Sequence, residues 1–321
     1  MSGIQTKNGK AFEYACLISL NTALSSDQDI LIENTPQLET ARKYYEEANE
    51  ELREKLIRAA NAATCVVVRL EPQLEYPDKN IPLYLSIQSD AKGQLGDVRD
   101  VLCIRKQNDW QIGLSCKHNH RAVKHSRLSA TIDFGADWFG TPCSREYFSI
   151  VIPIFDSLRV MKDSSNSTAL WSGIKDKNKH YYIPILQAFI NELKRLDNTN
   201  PGIIPERLIR YLIGKNDFYK VITDSTKKTT RVEAININGS LNRPSKGKRS
   251  IVNITRLKLP TRFHSVDFKH SSGTTIEVVC DEGWSISMRI HSASSRVEPS
   301  LKFDVNLVSL PNTIYAQVEP W

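Results

Sequence analysis

Gly96-Asp97-Val98-Arg99-Asp100-Val101-Leu102-Cys103-Ile104-Arg105, then the polar Lys106-Gln107-Asn108-Asp109, then Trp110-Gln111-Ile112-Gly113-Leu114-Ser115-Cys116-Lys117 is the stretch that decides the fold. Val101 to Ile104 is a compact apolar run and Trp110 to Ser115 is a second one, so the polar segment between them predicts a hairpin. Side chains alternate along a strand, so Ser115 and Lys117 project to one face, where a carboxylate at the head of the neighbouring strand can meet them. An acid, a lysine and a metal ion then share one sheet edge. Phosphodiester hydrolysis uses such a set: a divalent cation neutralises the phosphoryl oxygens and acidifies a water, and an ammonium orients that water or steadies the transition state. Hard Mg²⁺ prefers carboxylate, carbonyl and water oxygens, so Asp97 or Asp100 suits it and the sulfur of Cys116 does not.

Working outward, residues 9–20 carry Phe12, Ala15, Cys16 and Ser19 on one side of a short amphipathic helix, with Glu13 near its first turn. Thr35 and Pro36 have the order of an N-cap and first helical residue. They open a long predicted helix to about Ala63, in which Leu38, Ala41, Tyr45, Ala48, Leu52, Leu56 and Ala59 recur every three to four residues. Residues 149–155 read as a further buried strand, 161–179 as polar irregular chain, and 181–196 as a return to helical periodicity. From Thr274 to Val318 short runs alternate apolar and polar, the pattern of antiparallel strands.

In 321 residues, 43 Lys and Arg stand against 36 Asp and Glu, a balance that favours polyanionic partners without requiring them. The apolar runs are too short to cross a bilayer, and the N-terminus turns polar without a signal-peptide pattern, which predicts a cytoplasmic protein. Six cysteines without a CxxC pair predict reduced thiols, mostly in the core, rather than a disulfide scaffold or zinc knuckle.

Two basic tracts stand out. Lys117, His118, Asn119, His120, Arg121, Lys124, His125 and Arg127 come without an acid among them, which favours phosphate contact. Residues 225–262 hold ten Lys and Arg, including Arg243, Lys246, Lys248 and Arg249, against the single acid Glu233. Phosphate neutralisation wants several cations together, so both tracts are expected to bind nucleic acid, DNA above all. The consecutive His118, Asn119 and His120 do not make an HNH nuclease, whose residues are spread over a ββα-metal fold.

The residues around the hairpin resemble the PD-(D/E)xK nuclease superfamily, whose core is a helix bearing a Glu, an Asp heading one strand, and an acid-x-Lys on the next. In that pattern Glu13 is the helix acid, Asp100 the strand acid and Lys117 the lysine, with Asp97 a competing or additional metal ligand. Ser115 stands where the superfamily has Glu or Asp, which removes one carboxylate that Asp97 or Glu13 would have to make up. Residues 96–102, 117–129 and 283–304 are similar to corresponding blocks of HaeIII-type restriction endonucleases.

The resemblance implies a mixed α/β, restriction-endonuclease-like core with additional helical and antiparallel β regions. It also implies Mg²⁺ as cofactor, double-stranded DNA with the palindrome GGCC as substrate, and a cognate DNA methyltransferase as functional partner; the two-fold target suggests a homodimer, with a monomer nicking each strand in turn as the alternative. Catalysis falls to Asp100, Lys117 and Ser115, and metal binding to Asp100, Asp97 and Glu13. Two domains are expected, with residues 1–160 as nuclease core and 161–321 completing the DNA-binding cleft, a single domain being the alternative. The competing reading is a DNA-binding protein that has lost hydrolysis with its Ser115. An RNA-binding or RNA-cutting module is disfavoured, because the basic tracts lack aromatic interleaving.

Overall fold

In the computed structural model the hairpin forms as expected. Strands β1 (Ile30–Ile32), β2 (Leu83–Ile87), β3 (Val101–Arg105) and β4 (Trp110–His118) lie side by side in that order. Val101 stands opposite Leu114 and Arg105 opposite Trp110 across the antiparallel β3–β4 pair. The turn between them is a short 3-10 helix, Lys106–Asn108, closed by Asp109 in left-handed backbone at φ 46°. The structure describes residues 2–78, 80–89, 96–119 and 122–321, together with backbone but not side chains at 122–125.

The chain folds as two units interleaved in sequence, Met1–Arg121 with Lys215–Leu257 and Thr313–Trp321, and Ala122–Gly214 with Lys258–Asn312. A single cut near residue 160 would fall inside a helix of the second unit. In the first unit the sheet continues past β4 with β6 (Phe218–Asp224), β7 (Thr229–Ile235) and β12 (Ala316–Pro320). β4 and β6 are parallel, so the chain between them must make a long crossover, and that crossover includes β5 (Ala122–Ser129). Helices α1 (Ser2–Leu24) and α3 (Glu50–Leu70) supply the apolar layer on one sheet face. There Phe12, Ala15, Cys16 and Ala63 join Val101, Leu114, Cys116 and Tyr219 in one core.

The predicted long helix from Pro36 is two helices. α2 (Pro36–Glu47) is capped by Thr35, whose hydroxyl accepts from Leu38 N–H, and it ends at Ala48, where ψ turns to 144°. Asn49 then caps α3 by accepting from Leu52 N–H at 2.9 Å, with Glu50 and Glu51 in the first turn. A capping side chain and two acids restart the helix in a new direction, which apolar periodicity alone cannot register. Between α3 and β2 lies the single turn α4 (Pro72–Glu75).

In the second unit β5, β11 (Ser300–Ser309), β10 (Ser285–His291), β9 (Thr275–Cys280) and β8 (Phe263–Phe268) form an antiparallel sheet in that order, of which the alternating pattern predicts β9, β10 and β11. Leu301, Phe303 and Val305 face inward. Helices α5 (Phe134–Phe139), α6 (Arg145–Ser164), α7 (Ile183–Thr199) and α8 (Ile204–Ile213) complete the unit, and Phe189 of α7 meets Phe303 at 5.2 Å. Residues 149–155, predicted as a strand, lie inside α6. Ser144 caps that helix by accepting from Tyr147 N–H, and Tyr147, Val151, Phe155 and Leu158 form its buried stripe, overriding the β-branched run and Pro153. All six cysteines are free. No helix among the described residues is long and apolar enough to cross a membrane.

Gly113, opposite Leu102 on β4, has no room for a side chain. A Cβ there would lie 2.4 Å from Cδ and 2.8 Å from Cβ of Arg99. Arg99 is 5% exposed and held by Asp97, so it cannot retreat cheaply. Gly113→Ala is expected to cost about 1–3 kcal/mol in urea unfolding. A loss below about 0.5 kcal/mol would show that Arg99 yields freely.

Candidate active site

Asp100 is locked in place by both of its neighbouring strands before its side chain is considered. Its N–H donates to Leu114 O at 2.7 Å and its carbonyl accepts from Gln88 N–H at 2.9 Å. Continuing the β3–β4 register by one residue sets Asp100 across from Ser115. From there Oδ2 accepts the Cys116 N–H at 2.7 Å and stands 3.6 Å from Lys117 Nζ. Two of the three residues expected to carry catalysis are thus in direct contact.

Glu13 joins them from α1. It is 6% exposed, and Lys10, one helical turn earlier, reaches its Oε2 at 3.2 Å. Burial, reinforced by the charge of Asp100 and only partly offset by Lys10 and Lys117, pushes its carboxyl up to about 8. Two acids that repel each other beside an ammonium make a place where a cation is favoured. Among the described residues no group of three or more His, Cys, Asp or Glu is gathered to hold a metal ion. Mg²⁺ does not need one, since it is commonly bound by one or two carboxylates with water and substrate phosphate. Glu13 and Asp100 therefore fit a hard cation. The Cys116 thiol is held well above its ordinary range by its contact with Cys16 and by burial, so it stays protonated and offers no thiolate to a soft metal.

Asp97 is committed elsewhere. Its two oxygens accept from Nε and Nη2 of Arg99 at 2.8 and 2.6 Å. Burial alone would raise its carboxyl, but those hydrogen bonds hold it below the usual range. Asp97 fixes Arg99 over Gly113, and the third carboxylate expected from it does not arrive as a free ligand.

Ser115 is 2% exposed, and its strand neighbours reveal two residues that sequence reading passed over. It pairs in register with Lys220 of β6, and Lys220 with Glu233 of β7, so the three share one face in a row across the sheet. Lys220 and Glu233 are both buried, and Arg231 Nε donates to Glu233 Oε1 at 2.6 Å. The available signal was a lone lysine inside the apolar strand Phe218–Asp224, and the lone acid in the basic tract.

The expected DNA-binding residues divide. His118 is half-buried near Phe12, and burial lowers its pKa below the ordinary histidine value. Asn119 ends β4 in left-handed backbone at φ 57°. His120 and Arg121 lie outside the described residues, as do the side chains of Lys124 and His125. Arg127, in the second unit, bonds Ser300 Oγ at 3.0 Å and pairs with Glu298 at 3.5 Å.

The loop with Arg243, Lys246, Lys248 and Arg249 lies toward the far end of β4 from Lys117. Lys246 Nζ donates to Pro77 O, Ser250 Oγ to Arg69 O, and Arg243 lines a cavity of about 310 Å³ with Arg99 and Trp110. Trp110 and Lys117 are seven residues apart, roughly 23 Å along a strand. The basic tract of residues 225–262 is therefore not one surface. Three of its other cations, Lys227, Lys228 and Arg231, sit in and after the β6–β7 turn, at the Lys117 end.

A family model described as "HaeIII restriction endonuclease" matches residues 9–311 of this chain. The chain is 41% identical over 321 residues to "Type II restriction enzyme HaeIII" of Haemophilus aegyptius, covering 100% of itself and 99% of that protein. No solved structure matches.

The Glu13 shift sets a stability test for metal-free protein. Its folded pKa of about 8 lies above the ordinary 4.5, so between those values the folded state holds a proton that the unfolded chain has lost. Stability from this group is therefore present at low pH and falls as pH rises towards 8. From about pH 6 to pH 9, wild type in chelator should lose about 2–3 kcal/mol more than Glu13→Gln in urea unfolding. Equal losses in the two proteins would show that Glu13 titrates normally.

Proposed function

The chain belongs to the HaeIII restriction endonuclease family, and on that premise we propose that it cuts double-stranded DNA at GGCC, between the central G and C, by Mg²⁺-dependent hydrolysis. The observation that carries this reading is the contact of Asp100 with Lys117 at 3.6 Å beside the buried Glu13. Held by Glu13 and Asp100, Mg²⁺ would supply neutralising charge at the phosphoryl oxygens and lower the pKa of an attacking water.

The protein's own groups have separable tasks. Asp100 is aimed by the Cys116 N–H, so its carboxylate is oriented before substrate arrives. Glu13 must release its proton to act as an anionic ligand, which makes cation binding favour higher pH. Lys117 donates a hydrogen bond to the attacking water or to the phosphate oxygen on which charge grows. Attack in line with the leaving oxygen yields a 3′-hydroxyl and a 5′-phosphate. Ser115, buried beside these groups, orders water rather than replacing a carboxylate, and Asp97 acts through Arg99. A palindromic target suits a two-fold dimer, and such an enzyme works in the cytoplasm beside a methyltransferase that protects the host's own sites.

The second reading, a DNA-binding protein without hydrolysis, draws on the same Ser115 and on the lack of a group of three metal-ligating side chains among the described residues. Plasmid cleavage and duplex binding measured together separate the two. Lys117→Ala and Asp100→Asn should each slow cutting by about 10²–10³-fold while leaving binding of a GGCC duplex within about threefold. Near-normal cutting by Lys117→Ala would remove that residue from the mechanism. If Asp97→Asn fails to cut while Asp100→Asn cuts normally, the ligand assignment is reversed. A wild type that shifts DNA without cutting it under any divalent ion would establish the second reading.

A further inference from the structure

Beyond Lys117 the sheet opens into a cavity of about 530 Å³, lined by Asn119, Thr223, Thr226, Lys227, Thr229 and Arg231 among others. Every element of it belongs to the first unit. Resting on the DNA-cutting reading above, we infer that this cavity seats a backbone phosphate of the DNA flanking the cleaved bond.

The placement follows from register. Lys117 pairs with Ile222 in the parallel β4–β6 pair, and Ile222 with Arg231 in the antiparallel β6–β7 pair. Arg231 therefore projects from the same face as Lys117, two strand spacings or roughly 10 Å away. A strand whose scissile phosphate meets Lys117 carries its neighbouring phosphates over this distance. Asn119 fixes the geometry: its N–H donates to Thr223 O at 3.0 Å, and its Oδ1 accepts from Ser225 N–H at 2.9 Å. The end of the catalytic strand and the β6–β7 turn are thereby one piece, so a phosphate seated in the turn is indexed to the site of cutting.

The chemistry is that of an anion seat. Arg231 gives only its Nε to Glu233, and no other hydrogen bond engages its guanidinium among the described residues. Lys227 Nζ stays 3.9 Å from Asp224 Oδ2, a loose pair on an exposed turn. The Asp224 carboxylate itself is turned to the backbone, where Oδ1 accepts from Thr226 and Lys227 N–H at 3.1 and 3.0 Å. Thr229 lies two residues before Arg231 on β7 and shares its face, so its hydroxyl adds a donor to the cavity wall. A phosphodiester supplies both the charge and the acceptor oxygens, and Ile222 and Val318 offer apolar wall to the sugar.

The test is the salt dependence of binding, since a phosphate contact contributes to affinity regardless of sequence and releases counterions. Binding of full-length protein to two short duplexes, with and without GGCC, is measured in Ca²⁺ over a salt series, with wild-type plasmid cutting in Mg²⁺ run in parallel. Lys227→Ala should weaken both duplexes by the same factor, about three- to tenfold, and lower the log–log salt slope by about 1. Lys227→Glu, in an exposed turn where it cannot disturb the core, should do more. Arg231→Gln should lower the slope similarly, and for each variant the loss should fall on KM rather than kcat. An unchanged slope and affinity in Lys227→Glu would overturn the inference while leaving the cutting of GGCC standing. A loss confined to the GGCC duplex would overturn it too, by making the turn a base reader. If wild type does not cut, the functional reading fails, and the slopes still decide whether the cavity holds phosphate.

Discussion

The hydrogen bond from Cys116 N–H to Asp100 Oδ2, 2.7 Å long, is the constraint on which the site depends. It exists only because β3 and β4 pair with Val101 opposite Leu114, which brings the residue before β3 to the C-terminal part of β4. A slip of one residue would send Ser115 and Lys117 to the face occupied by the core and carry Leu114 and Cys116 to the other. The buried side chains on the α1 side of the sheet forbid that slip, so hydrophobic packing sets the position of the Asp100 carboxylate. Asp97 and Arg99 add a second lock: their bidentate pair holds the approach to Asp100 against Gly113, where any larger residue would collide.

The site that results is charged in an unfinished way. Burial and the charge of Asp100 raise the cost of ionising Glu13, and Lys10 and Lys117 offset only part of it. An arrangement that is costly alone and relieved by a divalent cation and a phosphate ester stores its stabilisation for the loaded state. Ser115 fits this picture as part of a row with Lys220 and Glu233. Where a nuclease of this kind would place a further acid on β4, the sheet instead carries an acid two strands away, with a lysine between.

Much of this was legible in the residues. The hairpin showed through because a polar four-residue segment separates two apolar runs, and the alternation of Ser115 and Lys117 followed directly. The helix bearing Glu13 was legible from periodicity, whereas a role for Glu13 itself came only with the family resemblance. What escaped were features set by single caps or by long-range placement. Ala48 and Asn49 interrupt a continuous apolar stripe because a capping side chain outweighs periodicity there. Residues 149–155 look like a strand by composition, but the stripe of Tyr147, Val151, Phe155 and Leu158 has helical spacing and decides the matter. The basic tract 225–262 reads as one patch along the chain, whereas its β6–β7 turn and its Arg243 to Arg249 loop are sent toward opposite ends of the sheet. Lys220 could not be tied to Ser115 without knowing that β6 runs parallel beside β4, a pairing made across nearly a hundred intervening residues.

Mapping the ends of DNA fragments produced by the wild-type protein addresses the central claim most directly, because it reads activity, target and chemistry in one digest. Blunt ends between the central G and C of GGCC, with 5′-phosphates, formed in Mg²⁺ and absent in chelator, are the predicted result. Intact DNA under every divalent ion, cutting that continues in chelator, or ends scattered without regard to GGCC would contradict it.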